Sequence, residues 1–360
     1  MSRRSLIPFG PHHPVLPEPL HLDLILEDEI VVEAIPNIGY VHRGLEKLVE
    51  RKDFHEFVYV AERICGICSF MHGMGYCMNI EHMMGIEVPE RAVFLRTLWA
   101  ECSRIHSHLL WLGLAADAIG FESLFMHCWR LREYILDVFD LTTGARVIFS
   151  VCKVGGVRKD IDDEKMKRVL EAADKINDGV KELERVFLVD KSISHRFSGV
   201  GVLSKEQAIA LGAVGPVARA SGVMFDVRNS GYAAYPHLDL AVQTDTAGDC
   251  LARTRVRINE IYESIRLIRK CTEIMPKSDI ISVKVTGTPN GESFIRLEQP
   301  RGEIVYYAKG NGTKHLDRVA VRTATFANVP ALLEMLVGVE LADVPVVITT
   351  IDPCISCVER

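Results

Sequence analysis

Two Cys-x-x-Cys pairs lie near opposite ends of this chain. Cys65 and Cys68 sit in Glu62-Arg63-Ile64-Cys65-Gly66-Ile67-Cys68-Ser69-Phe70-Met71-His72, and Cys354 and Cys357 in Asp352-Pro353-Cys354-Ile355-Ser356-Cys357-Val358-Glu359-Arg360. The spacing lets both sulfurs of a pair point at one metal, and four thiolates together make a soft donor set for zinc, iron or nickel. A shared site requires the two ends to meet, so it would also tie the fold together. Gly66 permits a tight turn inside the first pair, and Pro353 stiffens the approach to the second. His72, four residues after Cys68, is placed to hydrogen-bond a ligand sulfur. A structural zinc site is the simplest alternative. Zinc ribbons and fingers, however, keep their pairs close in sequence, and here nearly the whole chain intervenes.

The elements that must position these residues follow from periodicity. His21–Leu26 and Ile30–Ile35 flank the polar turn Glu27-Asp28-Glu29 and read as a β-hairpin after an irregular, proline-rich residues 1–19. Helical spacing runs from about Gly44 to Glu81, with the first Cys pair between or at the ends of helices. It continues over 89–118, 121–140, Asp162–Phe187 and Asp249–Ile274. Residues 280–285, 293–297 and 303–307 alternate as strands. A short helix near Pro330–Val337 follows, and the apolar run Val344–Thr350 leads into the second Cys pair. The expected fold is α+β, mainly α: a long-helix bundle with an N-terminal β-hairpin and a small C-terminal antiparallel β-region, both chain ends meeting at the metal site. We expect one interlocked unit over 1–360, divided into 1–40, 41–275 and 276–360.

Bulk properties exclude several function classes. With 360 residues and a net charge of -6, the chain has no basic run that would suit a nucleic acid. Ten cysteines in a chain this long are not a disulfide framework; Cys77, Cys102, Cys128, Cys152, Cys250 and Cys271 read as buried reduced thiols. Arg3 and Arg4 precede prolines and histidines rather than an apolar stretch, so no export signal is expected. No run of about 18 apolar residues suggests a membrane span. A reducing cytoplasmic location is expected.

Arg63-x-Cys65-Gly66-x-Cys68-x-x-x-His72, together with Asp352-Pro353-Cys354-x-x-Cys357-x-x-Arg360, resembles the large catalytic subunit of nickel–iron hydrogenases. Gly10-Pro11-His12-His13-Pro14, Val41-His42-Arg43-Gly44-Leu45-Glu46-Lys47 and Phe225-Asp226-Val227-Arg228-Asn229 resemble the quinone-site large subunit of respiratory complex I. The mixture is similar to the membrane-bound, energy-converting (Ech-type) hydrogenases.

The resemblance implies a nickel ion with Cys65 and Cys354 as terminal ligands. Cys68 and Cys357 would bridge to an iron that carries one carbon monoxide and two cyanides. It implies that Glu18, just before the first expected strand, carries protons, with Glu46 and Glu62 as rivals. It implies that Arg301, in Glu298-Gln299-Pro300-Arg301-Gly302, overhangs the metal and holds a cyanide, and that His72 and Asp352 line the cofactor. Cys354, Glu18 and Arg301 would act in catalysis. His42, Arg43 and Glu46 are expected either at the floor towards a partner subunit or in a buried network, and His106 and His108 in the core. The lone tryptophans Trp99, Trp111 and Trp129 call for no functional role.

The sequence holds no third Cys-x-x-Cys, so iron–sulfur clusters are expected only on partner subunits. The implied partners are a cluster-bearing small subunit, ferredoxin-like and membrane subunits, and ferredoxin as electron carrier, with the chain peripheral on the cytoplasmic side of the cell membrane. One departure is Arg360, where the family has a histidine before a cleaved extension; a metal held through that histidine is not implied here. The alternatives are a metal-free or zinc-stapled scaffold like the complex I relatives, which lack the four thiolates, and a sulfur-reducing relative.

Overall fold

The computed structural model describes residues 4–14, 16 and 18–360; Arg3 and Pro17 lie outside the described residues. The expected hairpin is present. His21–Glu27 (β2) turns Leu22, Leu24 and Leu26 inward and pairs antiparallel with Ile30–Asn37 (β3). A third strand, Arg4–Phe9 (β1), lies on the other side of β2 within the segment expected to be irregular. Pro8 obscured it, but β1 is an edge strand, where a missing N–H is tolerated.

Phe57–Glu62 (α1) and Ser69–Met84 (α2) flank the first Cys pair, as expected. Glu90–Ala118 (α3) and Glu122–Thr143 (α4) follow. The two-residue strands Cys152–Lys153 (β4) and Gly156–Val157 (β5) precede Asp163–Glu184 (α5). Three short helices, Lys191–Phe197 (α6), Lys205–Ala210 (α7) and Gly215–Ala220 (α8), lead to Cys250–Glu273 (α9). Asp162 and Asp249 cap α5 and α9 by accepting from Lys165 N and Ala252 N. The bundle is built on α3, which is buried around most of its circumference because α4, α9 and a C-terminal helix all pack on it.

Asn290–Gln299 (β6), Gly302–Asn311 (β7) and Leu316–Arg322 (β8) form the C-terminal antiparallel sheet. Residues 280–285, expected as a strand, do not join it. Their backbone bonds go instead to the β4–β5 hairpin, Val157 N to Ile281 O and Val283 N to Gly155 O. Only glycine allows that approach, since a Cβ on Gly156 would lie 2.2 Å from Ile281 O. Ala324–Leu336 (α10) begins before Pro330, because the carbonyl left without a donor belongs to Phe326 on the exposed face. Val344–Thr350 (α11) and Ile355–Val358 (α12) bring the second Cys pair against the first. No helix among the described residues is long and apolar enough to cross a membrane.

Candidate metal centre

The first pair sits in the turn from α1 into α2. Cys65 Sγ accepts from the amides of Ile67 (3.3 Å) and Cys68 (3.4 Å); the turn does not require glycine at position 66, where a Cβ would meet nothing within 4 Å. In the second pair Cys354 caps the start of α12 and Cys357 lies within it, beyond a bend in which Asp352 has φ 56°. The sulfurs face each other across the chain: Cys354 to Cys65 at 3.2 Å and Cys68 to Cys357 at 3.6 Å. The Cys65, Cys68 and Cys357 sulfurs all lie within 4.8 Å of one another. All ten cysteines are buried and free.

Hydrogen bonds from the neighbouring thiols, Cys354 first, hold Cys65 well below the usual thiol value, while burial pushes Cys68 and Cys357 well above it. Without a cation the cluster therefore favours one thiolate; a metal is what lets the others ionise. Burial lowers His72 to about 4, so its imidazole is neutral. Tyr306 OH lies 2.8 Å from Nδ1, and Nε2 lies 3.5 Å from Cys357 Sγ. The tautomer with Nε2–H donating to sulfur and Nδ1 accepting from the tyrosine satisfies both contacts.

Arg301 occupies a two-residue turn between β6 and β7, in which Gln299 pairs with Gly302. Its Nε donates to Asp352 O and its Nη2 to Asp352 Oδ1, both at 2.8 Å. Arg301 Nη1 and Asp352 Oδ2 are buried without a partner. Burial opposes the Arg301 charge, but Asp352 and the sulfurs of Cys354, Cys65 and Cys68 more than offset it. Burial raises the Asp352 carboxyl against the pull of Arg301 and Arg257. The turn is held from behind by Arg104, which donates to Glu298 O (2.9 Å) and Gln299 O (3.3 Å). Arg104 belongs to a buried ion-pair network of Glu101, Arg219, Asp226, Arg228, Glu260 and Glu298.

Glu18 reaches the second pair. Its carboxylate accepts from Ser356 N (2.8 Å) and Ser356 Oγ (3.0 Å), and Cys354 Sγ is 3.9 Å away. Glu18 also borders two spaces. On the inner side is a cavity of about 240 Å³ walled by Leu16, Ile67, Leu110, Trp111 and Leu114, with Arg301, Asp352 and Cys354 also at its surface. On the outer side is a cleft of about 310 Å³ with His12 and His13. The rivals lie elsewhere. Glu46 accepts from Arg360 Nε and Val321 N. Glu62 is bound by Ser150, and burial raises it to about 7.

His42 faces Glu359 O, and Arg43 donates to Arg63 O and Ile64 O, lacing the two motifs together. His106 and His108 are core residues as expected, the latter against Glu260. Trp111 and Trp129 depart from expectation: both line the inner cavity, and Trp111 also donates to Thr349 O at 2.7 Å. Thr323 and Thr325 were also missed; they bind Cys357 O and Cys354 N.

A sequence profile described as the respiratory-chain NADH dehydrogenase 49 kDa subunit matches residues 118–288 and 279–360. A second, described as nickel-dependent hydrogenase, matches residues 43–115. The chain is 37% identical over 368 residues to a subunit of the F(420)H(2) dehydrogenase of Methanosarcina mazei, covering 100% of this chain and 98% of that protein. It is 38% identical to the membrane-bound hydrogenase subunit alpha of Pyrococcus furiosus, covering 98% of this chain and 87% of that one. The chain belongs to the family of large subunits shared by respiratory NADH dehydrogenases and membrane-bound hydrogenases. Its fold matches a chain of the membrane-bound sulfane sulfur reductase, an archaeal respiratory membrane complex, with a TM-score of 0.94 and 32% identity over 99% of this chain and 98% of that one.

Within this family of oxidoreductases, the residues present fit a metal centre. Four converging sulfurs supply the donor set, His72 steadies one of them, and the unpartnered Arg301 Nη1 offers a buried N–H to a further acceptor.

Proposed function

We propose that this chain is the catalytic subunit of an energy-converting nickel–iron hydrogenase, oxidising dihydrogen or reducing protons reversibly. The observation that carries this is the pairing of sulfurs across the chain, Cys65 with Cys354 and Cys68 with Cys357. In this reading Cys65 and Cys354 would hold nickel as terminal ligands, and Cys68 and Cys357 would be shared between it and an iron bearing one carbon monoxide and two cyanides. When bound, that group supplies heterolytic activation of dihydrogen.

The protein's part is to hold and move a proton and to keep water out. Cys354 Sγ takes the proton, and Glu18 passes it from the apolar inner cavity to the cleft beside His12 and His13. Ser356, donating twice to Glu18, fixes the carboxylate for that exchange. Arg301 offers permanent donors to a cyanide, oriented by Asp352. Electrons leave through clusters on a partner small subunit, with ferredoxin as carrier, and membrane subunits couple the reaction to ion translocation. The chain works as one unit over 1–360, peripheral on the cytoplasmic side of the membrane.

Likeness to the sulfane sulfur reductase favours a second reading, a relative that keeps part of the site, reduces sulfur and has lost activity towards dihydrogen. Likeness to the 49 kDa subunit of respiratory-chain NADH dehydrogenase supports a third, a metal-free or zinc-stapled scaffold subunit. Metal analysis and infrared spectroscopy of the native complex separate them. Nickel and iron in equal amounts, with carbon monoxide and cyanide stretches and dihydrogen turnover, support the hydrogenase. The same metals without dihydrogen turnover point to sulfur reduction. Zinc, or no metal, leaves the scaffold.

A further inference from the structure

Arg257, on α9, is wholly buried, yet among the described residues it forms no ion pair. Its Nη1 donates to Arg253 O (3.0 Å) and its Nη2 to Thr350 O (2.9 Å), while Nε has no partner. Its guanidinium lies 4.2 Å over the ring of Trp111, the residue that donates to Thr349 O. Two successive carbonyls on the approach to Asp352-Pro353-Cys354 are thus held by this stacked pair.

A buried cation without a carboxylate is unfavourable unless some other negative group offsets it. Burial lowers Arg257 to about 10, so it remains charged at neutral pH. The carboxylates that face it are Asp352 and Glu260. Asp352 is engaged by Arg301, and Glu260 by Arg219 and His108. Two further cations, Arg253 and Arg301, face it as well, and Arg253 bonds only to carbonyls, the Thr350 hydroxyl and the Cys250 sulfur. The protein side of this region therefore carries excess positive charge. Four thiolates and two cyanides on two divalent metals would form a net anion, able to offset that charge.

We propose that Arg257, stacked on Trp111, is a buried counter-charge to the metal centre and a positioning residue for the Cys354 segment. This rests on the nickel–iron reading above. The test compares Arg257→Met, which keeps bulk and removes charge, with Arg257→Lys, which keeps charge, in the intact complex. The readouts are the iron-bound carbon monoxide and cyanide stretches and the midpoint potential of the centre. In Arg257→Met the stretches should move to lower wavenumber and the potential should fall, because electron density at iron is no longer offset. Arg257→Lys should return both close to wild type. Bands and potential unmoved in a fully metallated Arg257→Met protein would overturn the proposal, as would equal shifts in the Met and Lys variants. If Arg257→Met fails to acquire metal, the Lys variant decides. A wild-type Lys spectrum supports the counter-charge, and equal failure of both variants assigns the residue to packing alone. If the wild type itself shows no such bands, the nickel–iron reading falls first.

Discussion

The sulfurs of Cys68 and Cys357 lie 3.6 Å apart although 289 residues separate them in sequence. Neither local turn creates this contact. It exists because α2 starts at the first pair and α11 delivers the second, while Thr323 and Thr325 hold the second pair's backbone at Cys357 O and Cys354 N. A ligand set drawn from both ends would couple metal retention to closure of the whole chain.

Replacing Cys68 or Cys357 by serine should therefore remove metal and loosen the fold together. Metal content measured by plasma mass spectrometry should fall about tenfold or more, with a lower melting temperature by calorimetry. Full metal content in Cys357→Ser would separate that residue from the site.

Glu18→Gln keeps the shape of the carboxylate and removes its proton exchange. Turnover should fall by about 10²–10⁴, the range of general acid–base catalysis, while nickel and iron stay at wild-type levels. Undiminished turnover would move the role to another carboxylate. Glu46, tied to Arg360 and Val321 N, is the poorer substitute, and Glu62 the better one.

Arg301→Lys keeps a charge but loses the fork that spans Asp352 O and Asp352 Oδ1. Turnover should drop by about 10²-fold, as when a preorganised donor is lost. Dihydrogen-dependent dye reduction on protein of unchanged metal content measures this. Wild-type rates in the lysine variant would show that charge alone suffices.

What the sequence disclosed and what it hid divide along a physical line. The Cys pairs, His72 and the Pro300-Arg301 turn are legible because each is a local pattern whose residue types already specify the chemistry. The long helices α3, α4, α5 and α9 are legible from their apolar spacing. Trp111, Arg257, Thr323 and Thr325 are not. They sit on helices or at their starts, as core-like residues do, and only tertiary packing brings them to the second Cys pair. Residues 280–285 alternate like a strand, yet Gly155 and Val157 of the β4–β5 hairpin take their backbone bonds. Alternation reports a half-buried extended segment, not which partner it finds.

Burial pushes the Glu62 carboxyl from 4.5 up to about 7, against the Ser150 hydrogen bond and the charges of Arg63 and Arg158. A raised value means that the folded chain binds this proton more tightly than the unfolded chain. The resulting stability is complete below about pH 4.5 and is lost as pH rises to about 7, by at most about 1.4 kcal/mol per pH unit. Glu62→Gln should melt higher than wild type at about pH 8, and the gap should close on acidification towards the unfolded value. Parallel melting curves across that range would show that Glu62 titrates normally.

The chain should function only as part of a membrane-attached complex. A buried metal centre needs an electron acceptor within tunnelling distance, and the sequence offers no further Cys-x-x-Cys to build a cluster. Glu359 binds the amides of Gly39 and Val41, which places the exposed Ile38 and Tyr40 beside the second Cys motif. That edge is where a cluster-bearing partner should approach. Tagged native protein should bring down at least one cluster-binding subunit and one very apolar subunit from detergent extracts. Tyr40→Asp should release the cluster-binding subunit and abolish ferredoxin-linked turnover while metal content stays unchanged. Native protein that instead fractionates as a monomer with full hydrogen-driven ferredoxin reduction would overturn the energy-converting assignment even with the metal centre intact.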